Sequence, residues 1–456
     1  MFRMSDDFTA LLQALNAGDN ETRQTAEEKY ASLDANQKLQ LLVPAAADST
    51  LQDPHRALAA VLLRRTITGQ WEECWDPLNT EQREQLKSGL IQILSTMVDP
   101  AASTLVRKRI SDCVAELARK LIELAESESD HNNNHPWQEL LQFLFQCAQS
   151  GKSSGIETAL NLIYQCPTIF GSQLEKYSDV LRNLLGQCME PCQSLDLRGL
   201  SVKCVCNLIT DDPDSSTARK IQVLLPQLVQ TVGEYSAAQG SDVLQAVVEL
   251  QEAVPKFLKP ATAPVLDMCL QLAENKSVEE DVRAMAVESC VTLGESLPGA
   301  IRKKVPEAIG KLCLVCLSLM QEIDDDEDWP AKTVPEDDDD DLPNLTVIGE
   351  SSLDRIARSL GGGTVLKAIA PRIAELLQAH RTWQEKRAAL LALSAIAEGT
   401  VKSIKSILPQ LVPAMLPFLQ DPHPRVRHAA CNCVGQLSTD LSPEMQKIFH
   451  SEILQR

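Results

Sequence analysis

Aromatic side chains make up only 4% of this 456-residue chain, and stretches in which Val, Ile or Thr alternate with polar residues over a strand's length are scarce. Sheets draw on those residue types, so no convincing strand is expected. No run of about 18 uncharged apolar residues occurs, which excludes a membrane-spanning helix. The opening Met1-Phe2-Arg3-Met4-Ser5-Asp6-Asp7 has neither an apolar signal core nor a small-residue cleavage pattern. The chain is therefore expected to be soluble and intracellular, without membrane insertion. Positive charge is also short: 43 Lys and Arg stand against 63 Asp and Glu, for a net charge of -20 and a pI near 4.9. Such a chain is ill suited to DNA or RNA and well suited to basic protein partners.

What is abundant is Leu and Ala at helical spacing, and one pattern that recurs. Leu51-Gln52-Asp53-Pro54-His55-Arg56 is echoed by Leu419-Gln420-Asp421-Pro422-His423-Pro424-Arg425. In each copy an amphipathic run ends, Asp-Pro punctuates it, and an Arg opens a second run of small apolar residues. Helix, turn and helix form a unit that cannot bury its apolar face alone, so the units must stack. The expected fold is an all-α HEAT-repeat α-solenoid, a right-handed superhelix of about ten helix pairs. Among its helices are Ser216–Tyr235 with Ser241–Leu258, Val305–Ile323 with Ile348–Leu360, Thr382–Val401, and Ser406–Leu419 with Pro424–Leu437. Asp53-Pro54 and Asp421-Pro422 are expected to place an acceptor side chain and a fixed φ at helix starts. The residues from Glu444 onward read as the first helix of an eleventh unit, so that, unless this helix caps the solenoid itself, the array is expected to be part of a longer chain.

The second helices begin at intervals of roughly 30 to 50 residues, with one exception between Arg283 and Arg355. The excess there is an acidic insertion: Glu322 to Asp341 holds twelve carboxylates against the single Lys332. Four regions follow: N-terminal repeats over 1–130, central repeats over 131–320, an acidic inserted loop over 321–347 and further repeats over 348–456. A charge run is commonly just solvated chain, but this one contains Trp329, and a spacer has no use for an indole. Asp324, Asp325, Asp326, Glu327, Asp328 and Trp329, with Asp337, Asp338, Asp339, Asp340 and Asp341, are the candidate contacts for a Lys/Arg-rich partner.

Catalytic and cofactor signals are absent on inspection. Gly151-Lys152-Ser153 has the tail of a phosphate-binding loop, yet Gln146 stands where the loop needs its first Gly and no strand precedes it. Cys313 and Cys316 have zinc-ligand spacing without a second pair, and lie in an apolar helix. The fourteen Cys sit in apolar stripes and read as reduced core thiols. His423 and His428 read as metal ligands or, more commonly for such residues, as side chains facing water beside Arg425 and Arg427. Gly361-Gly362-Gly363 reads as a helix terminator. Arg23, Arg198, Arg283, Arg387 and Arg425, near second-helix starts, suit a ladder of ion pairs to an Asp in the neighbouring unit's turn.

Several stretches resemble one family. Arg23-Gln24-Thr25-Ala26-Glu27-Glu28-Lys29-Tyr30, Ala60-Val61-Leu62-Leu63-Arg64-Arg65, Pro136-Trp137 and the closing Asp-Pro-His-Pro-Arg copy look like the N-terminal HEAT repeats of the importin-beta (karyopherin-beta) superfamily. Asp326-Glu327-Asp328-Trp329 followed by Gly349-Glu350-Ser351-Ser352-Leu353-Asp354-Arg355 and Leu360-Gly361-Gly362 is the most diagnostic match. The resemblance implies a non-enzymatic nuclear transport receptor that shuttles between cytoplasm and nucleus. Its partners would be basic cargo such as ribosomal proteins and histones, nucleoporin Phe-Gly repeats, and Ran-GTP, which releases cargo. On the same ground Leu62, Leu63, Arg64 and Arg65 fall in the region that contacts Ran, and the acidic loop is expected to contact cargo, Ran or both. Family members are longer than this chain. The alternative from the residues alone is a cytosolic chaperone or scaffold for basic proteins acting through the acidic loop.

Overall fold

The computed structural model describes residues 6–127, 135–325, 329 and 344–455, and among them there is no strand. The chain forms two compact units, Met1–Leu224 and Leu225–Arg456. In the first, the helices are α1 (Asp6–Leu15), α2 (Asn20–Ala31), α3 (Ala35–Ala47), α4 (Asp53–Gly69), α5 (Trp71–Trp75), α6 (Thr80–Met97), α7 (Thr104–Ser127), α8 (Gln138–Gln149), α9 (Ser153–Gln165), α10 (Leu174–Cys188), α11 (Leu195–Asp211) and α12 (Ser216–Ile221). In the second they are α13 (Leu225–Ala238), α14 (Asp242–Ala253), α15 (Pro255–Leu258), α16 (Thr262–Glu274), α17 (Glu280–Ser296), α18 (Pro298–Lys304), α19 (Pro306–Leu319), α20 (Leu345–Leu360), α21 (Gly362–Leu376), α22 (Trp383–Met415), α23 (Pro424–Asp440) and α24 (Glu444–Leu454).

Helices pair in sequence and the second helices of successive pairs pack on one another, α4 on α7 and α17 on α20. Small residues make that approach close: Ala59 and Ala60 of α4 are fully buried, as are Val106, Ile110 and Val114 of α7. Each Leu or Val so buried contributes roughly 1.5–3 kcal/mol, which makes stacking the main source of stability for helices marginal on their own. Polar rungs cross the same seam. The Cys113 thiol donates to the Ala60 carbonyl at 2.7 Å and the Cys204 thiol to the Leu160 carbonyl at 3.1 Å. All fourteen cysteines are free, and only Cys192 and Cys431 are exposed.

Helix starts are chemically explicit. Asp34 with Gln37, Asn79 with Gln82 and Thr382 with Glu385 form reciprocal capping boxes. The two Asp-Pro copies differ from expectation. In the first, α4 already begins at Asp53, so Pro54 occupies the first turn and no side chain caps the helix. In the second, the extra Pro424 takes that role, and Asp421 stands in the preceding turn, accepting from the His423 amide at 2.9 Å.

Three predicted helix boundaries are corrected. The helix expected over Ser216–Tyr235 is interrupted at Gln222–Leu224, because Pro226 cannot donate back to that turn and its ring crowds the carbonyl there. The helix expected over Ser241–Leu258 breaks before Pro255 for the same reason. Conversely, Thr382–Val401 and Ser406–Leu419 are one helix, α22, of 33 residues. No Gly or Pro interrupts Lys402-Ser403-Ile404-Lys405, and Ile396, Thr400, Ile404, Leu408 and Val412 continue a single buried stripe at four-residue spacing. Gly361 does end α20, with φ of 100° that only Gly adopts easily. Its neighbour Gly362 opens α21, where an added Cβ would lie 2.0 Å from the Gly399 carbonyl oxygen.

Candidate functional site at the root of the acidic segment

The acidic segment leaves the array just after α19 and is anchored before it departs. Glu322 receives both Nη atoms of Arg283, at 2.8 and 2.9 Å, and Lys276 approaches at 3.1 Å. Arg283 is 4% exposed, and its Nε also donates to the Ala273 carbonyl, tying the end of α16 to the start of α17. Hydrogen bonding from Arg283 holds the Glu322 carboxyl below the usual carboxylate range against the opposing effect of burial. A bidentate guanidinium–carboxylate pair in a mostly buried setting fixes direction as well as distance.

Beyond this anchor the chain reaches α23. The Asp324 carbonyl accepts from Arg425 Nη1 at 3.4 Å, and the Asp325 carboxylate lies 3.5 Å from His423 Nε2. Trp329 sits with its ring 5.3 Å from the Arg425 guanidinium and edge-on to His428, centroids 5.4 Å apart. Trp383 lies 5.7 Å from the same guanidinium and is itself stacked flat on His423, ring centroids 4.2 Å apart at 4°. His423 is half-buried against Trp383, whereas His428 is exposed, as the water-facing reading had it, and its ring meets Trp329. Both are aromatic contacts. Among the described residues no cluster of His, Cys, Asp and Glu could hold a metal ion.

Asp324 and Asp325 are exposed and Trp329 is half-buried. Asp326, Glu327, Asp328 and Asp337 to Asp341 lie outside the described residues. The insertion's far end is shorter than expected: α20 begins at Leu345, capped by Asn344, whose side chain accepts from the Thr346 amide at 2.9 Å.

The arginine ladder exists in altered form. Arg283 pairs with a Glu and a carbonyl, not an Asp in a turn. Arg23 lies exposed and bonds Asn20 within its own helix. Arg387 faces Glu350 of α20; burial lowers its pKa and raises that of Glu350. The rung of the expected shape is made by Lys386, which reaches Asp421 in the next turn at 3.2 Å. Arg355 adds a fork to Glu288 and Glu295 of α17.

In the first unit, Leu62 and Leu63 are core residues, 9% and 1% exposed, so neither offers a contact surface. Their neighbours Arg64 and Arg65 do: with Val61, Thr68, Gly69, Arg109 and Asp112 they line a groove of about 360 Å³ between α4 and α7. Burial raises the Asp112 carboxyl while Arg64 and Arg109 oppose that shift. The zinc and phosphate-loop readings find only structure. Cys313 is fully buried, its thiol pushed up to about 12 by burial. Gly151 and Lys152 lie in the link between α8 and α9, and Ser153 is the first residue of α9.

Stacked pairs of this kind define an all-α HEAT-repeat solenoid protein, and a HEAT-like repeat pattern matches residues 383–437. The importin-beta N-terminal domain matches residues 29–96, IPO5-like TPR repeats match 102–268 and an importin repeat matches 275–367. Three importin models and one HEAT model thus liken most of the chain to the importin-beta family, which is not an enzyme family. Importin subunit beta-3 of Saccharomyces cerevisiae is 25% identical over 464 residues, taking in 97% of this chain and 40% of the relative. Importin-4 of Homo sapiens is 26% identical over 435 residues, 90% of this chain and 38% of the relative. Among solved structures, Kap121p matches with a TM-score of 0.80 at 24% identity over 98% of this chain and 42% of that one, a likeness of fold. The chain thus spans about 40% of the length of the relatives it matches.

Proposed function

We propose that this chain acts as a nuclear transport receptor of the importin type, moving between cytoplasm and nucleus and binding basic cargo. The observation that carries the reading is the acidic segment rooted by Glu322 on Arg283, with Asp324 and Asp325 exposed beside it. Such a surface suits Lys/Arg-rich proteins, of which ribosomal proteins and histones are the abundant representatives. In support, Kap121p has been crystallised bound to RanGTP, to Pho4p and to Nup53p. By that likeness the partners of this chain are Ran-GTP, basic cargo and Phe-Gly nucleoporins. Arg64 and Arg65, beside Arg109, are the exposed part of the N-terminal region assigned to Ran. The mechanism is linkage: cargo and Ran-GTP bind with opposed preferences, so each lowers the other's affinity by the same factor. Pull-down with Ran loaded with GTP or with GDP tests it. Selective retention of the GTP form is expected. Equal or absent binding in the two states overturns the transport reading and leaves chaperoning of basic proteins.

A further inference from the structure

The four side chains at the start of α22 and α23 form a face with a definite chemical complement. Arg425 is 7% exposed, lies 5.3 Å from the Trp329 ring and 5.7 Å from the Trp383 ring, and is followed by Val426, which is fully buried. Trp383 and His423 present one flat aromatic stack, and His428 stands exposed at the edge. Onto this face come a backbone carbonyl (Asp324), a carboxylate (Asp325) and an indole (Trp329), each meeting a different member. Carboxylate meets imidazole, carbonyl meets guanidinium, and indole meets guanidinium and imidazole edge. A cation close to an aromatic stack, met by an indole and with a carboxylate at the rim, suits an acidic segment carrying one aromatic residue.

We propose that Trp383, His423, Arg425 and His428 are a receptor for acidic-aromatic peptide segments, filled in cis by the chain's own Asp324, Asp325 and Trp329. This inference stands on contacts within the chain and does not depend on the transport reading. The Glu322–Arg283 pair keeps the cis ligand tethered a few residues away whether or not it is docked, so its effective concentration is high and a free ligand competes poorly. A basic partner that takes Asp325 and Trp329 for itself must first withdraw them, and doing so uncovers the receptor. An acidic-aromatic segment in trans and a basic partner on the acidic segment therefore favour one another, although they contact different residues.

The experiment uses the full chain and a fluorescent synthetic peptide with the sequence of residues 322–330. Fluorescence anisotropy measures its binding to wild type, to Trp329→Ala, and to Trp329→Ala combined with Arg425→Ala. Removing the cis indole is expected to tighten peptide binding by about ten-fold or more over wild type, and the added Arg425→Ala change to abolish the gain. Arg425 is part of the core, so Trp329→Ala with the exposed His428→Ala serves as a milder receptor variant, expected to lose about half or more of the gain. Equal peptide affinity for wild type and Trp329→Ala overturns the proposal. So does undiminished binding in a folded double variant carrying His428→Ala, or a peptide that binds equally well with its Trp replaced by Ala.

Discussion

Arg56 and Arg283 open second helices in different units, and their side chains begin alike. Each donates its Nε to the carbonyl ten residues earlier, in the last turn of the preceding helix: Ala46 at 3.2 Å and Ala273 at 3.1 Å. Beyond that shared bond they part. Arg56 meets the Met97 sulfur at 3.6 Å, with Asp53 of its own helix at 3.7 Å. Arg283 meets the Glu322 carboxylate bidentately. One device thus serves two ends. In the first unit it ties a pair to the thioether of the next, and in the second it makes the start of the acidic segment part of the array's framework.

The sharpest way to break this comparison is to remove both arginines. Arg283→Ala removes a bidentate partner from Glu322, leaving it Lys276 alone, and is expected to cost about 2–4 kcal/mol. Arg56→Ala leaves a thioether and a carbonyl and is expected to cost about 1–3 kcal/mol. Denaturant unfolding monitored by circular dichroism measures both, and equal losses would remove the distinction. Substituting Ala for Gly contrasts the units by sign. At Gly399 the new Cβ would lie 2.6 Å from the Ala357 backbone carbon, for an expected loss of about 1–3 kcal/mol. At Gly89, on open surface in α6, the same change is expected to add about 0.5–1 kcal/mol.

Acid separates the units further. Burial lowers the pKa of His135, whose Nδ1 accepts from the Trp137 amide while Nε2 donates to the Ile169 carbonyl. The neutral ring's contribution is complete above the ordinary histidine value of 6.5 and is lost as pH falls from there toward the lowered one. Glu322 is also lowered, so its contribution is complete above the ordinary value of 4.5 and is lost only below it. Melting temperatures across this range should drop in the first window through His135 of the first unit and in the second through Glu322 of the second. His135→Gln is expected to flatten the upper window and Glu322→Gln the lower. The smallest effect belongs to Arg23→Ala, a surface change expected to stay within about 0.5 kcal/mol by the same denaturant assay.

The pairs and their stripes were legible because burial repeats with the helical period, as in Leu408, Val426, Ala429, Ala430 and Cys433. Ser194 caps α11, its hydroxyl accepting from the Leu197 amide, as its residue type favours. The continuity of α22 was not, since the end of one helix and the start of the next carry the same periodic signal, and only the missing breaker at Lys402 to Lys405 distinguishes them. The location of the acidic insertion was visible in the spacing of the repeats. Its landing place was not, because periodicity tells which face of α23 is buried and nothing about which distant segment lies on the other. In a chain so poor in aromatics, Trp329 and Trp383 were the available hint. Leu62 and Leu63 show the converse: residues chosen for lying in a resembling stretch belong to the core stripe that makes the stretch recognisable.

The 33-residue α22 has a mechanical consequence. At about 1.5 Å per residue it is a beam of about 50 Å, and it stands where other units have a turn. A turn bends by rotating a few backbone dihedrals at little cost, whereas an unbroken helix bends only by stretching its hydrogen bonds. Pro409 and Pro413 each remove one such bond, which concentrates compliance toward the far end of the beam. Between Trp383 and Met415 the second unit has therefore exchanged a free joint for an elastic one, which stores the work of bending and returns it when the load is released.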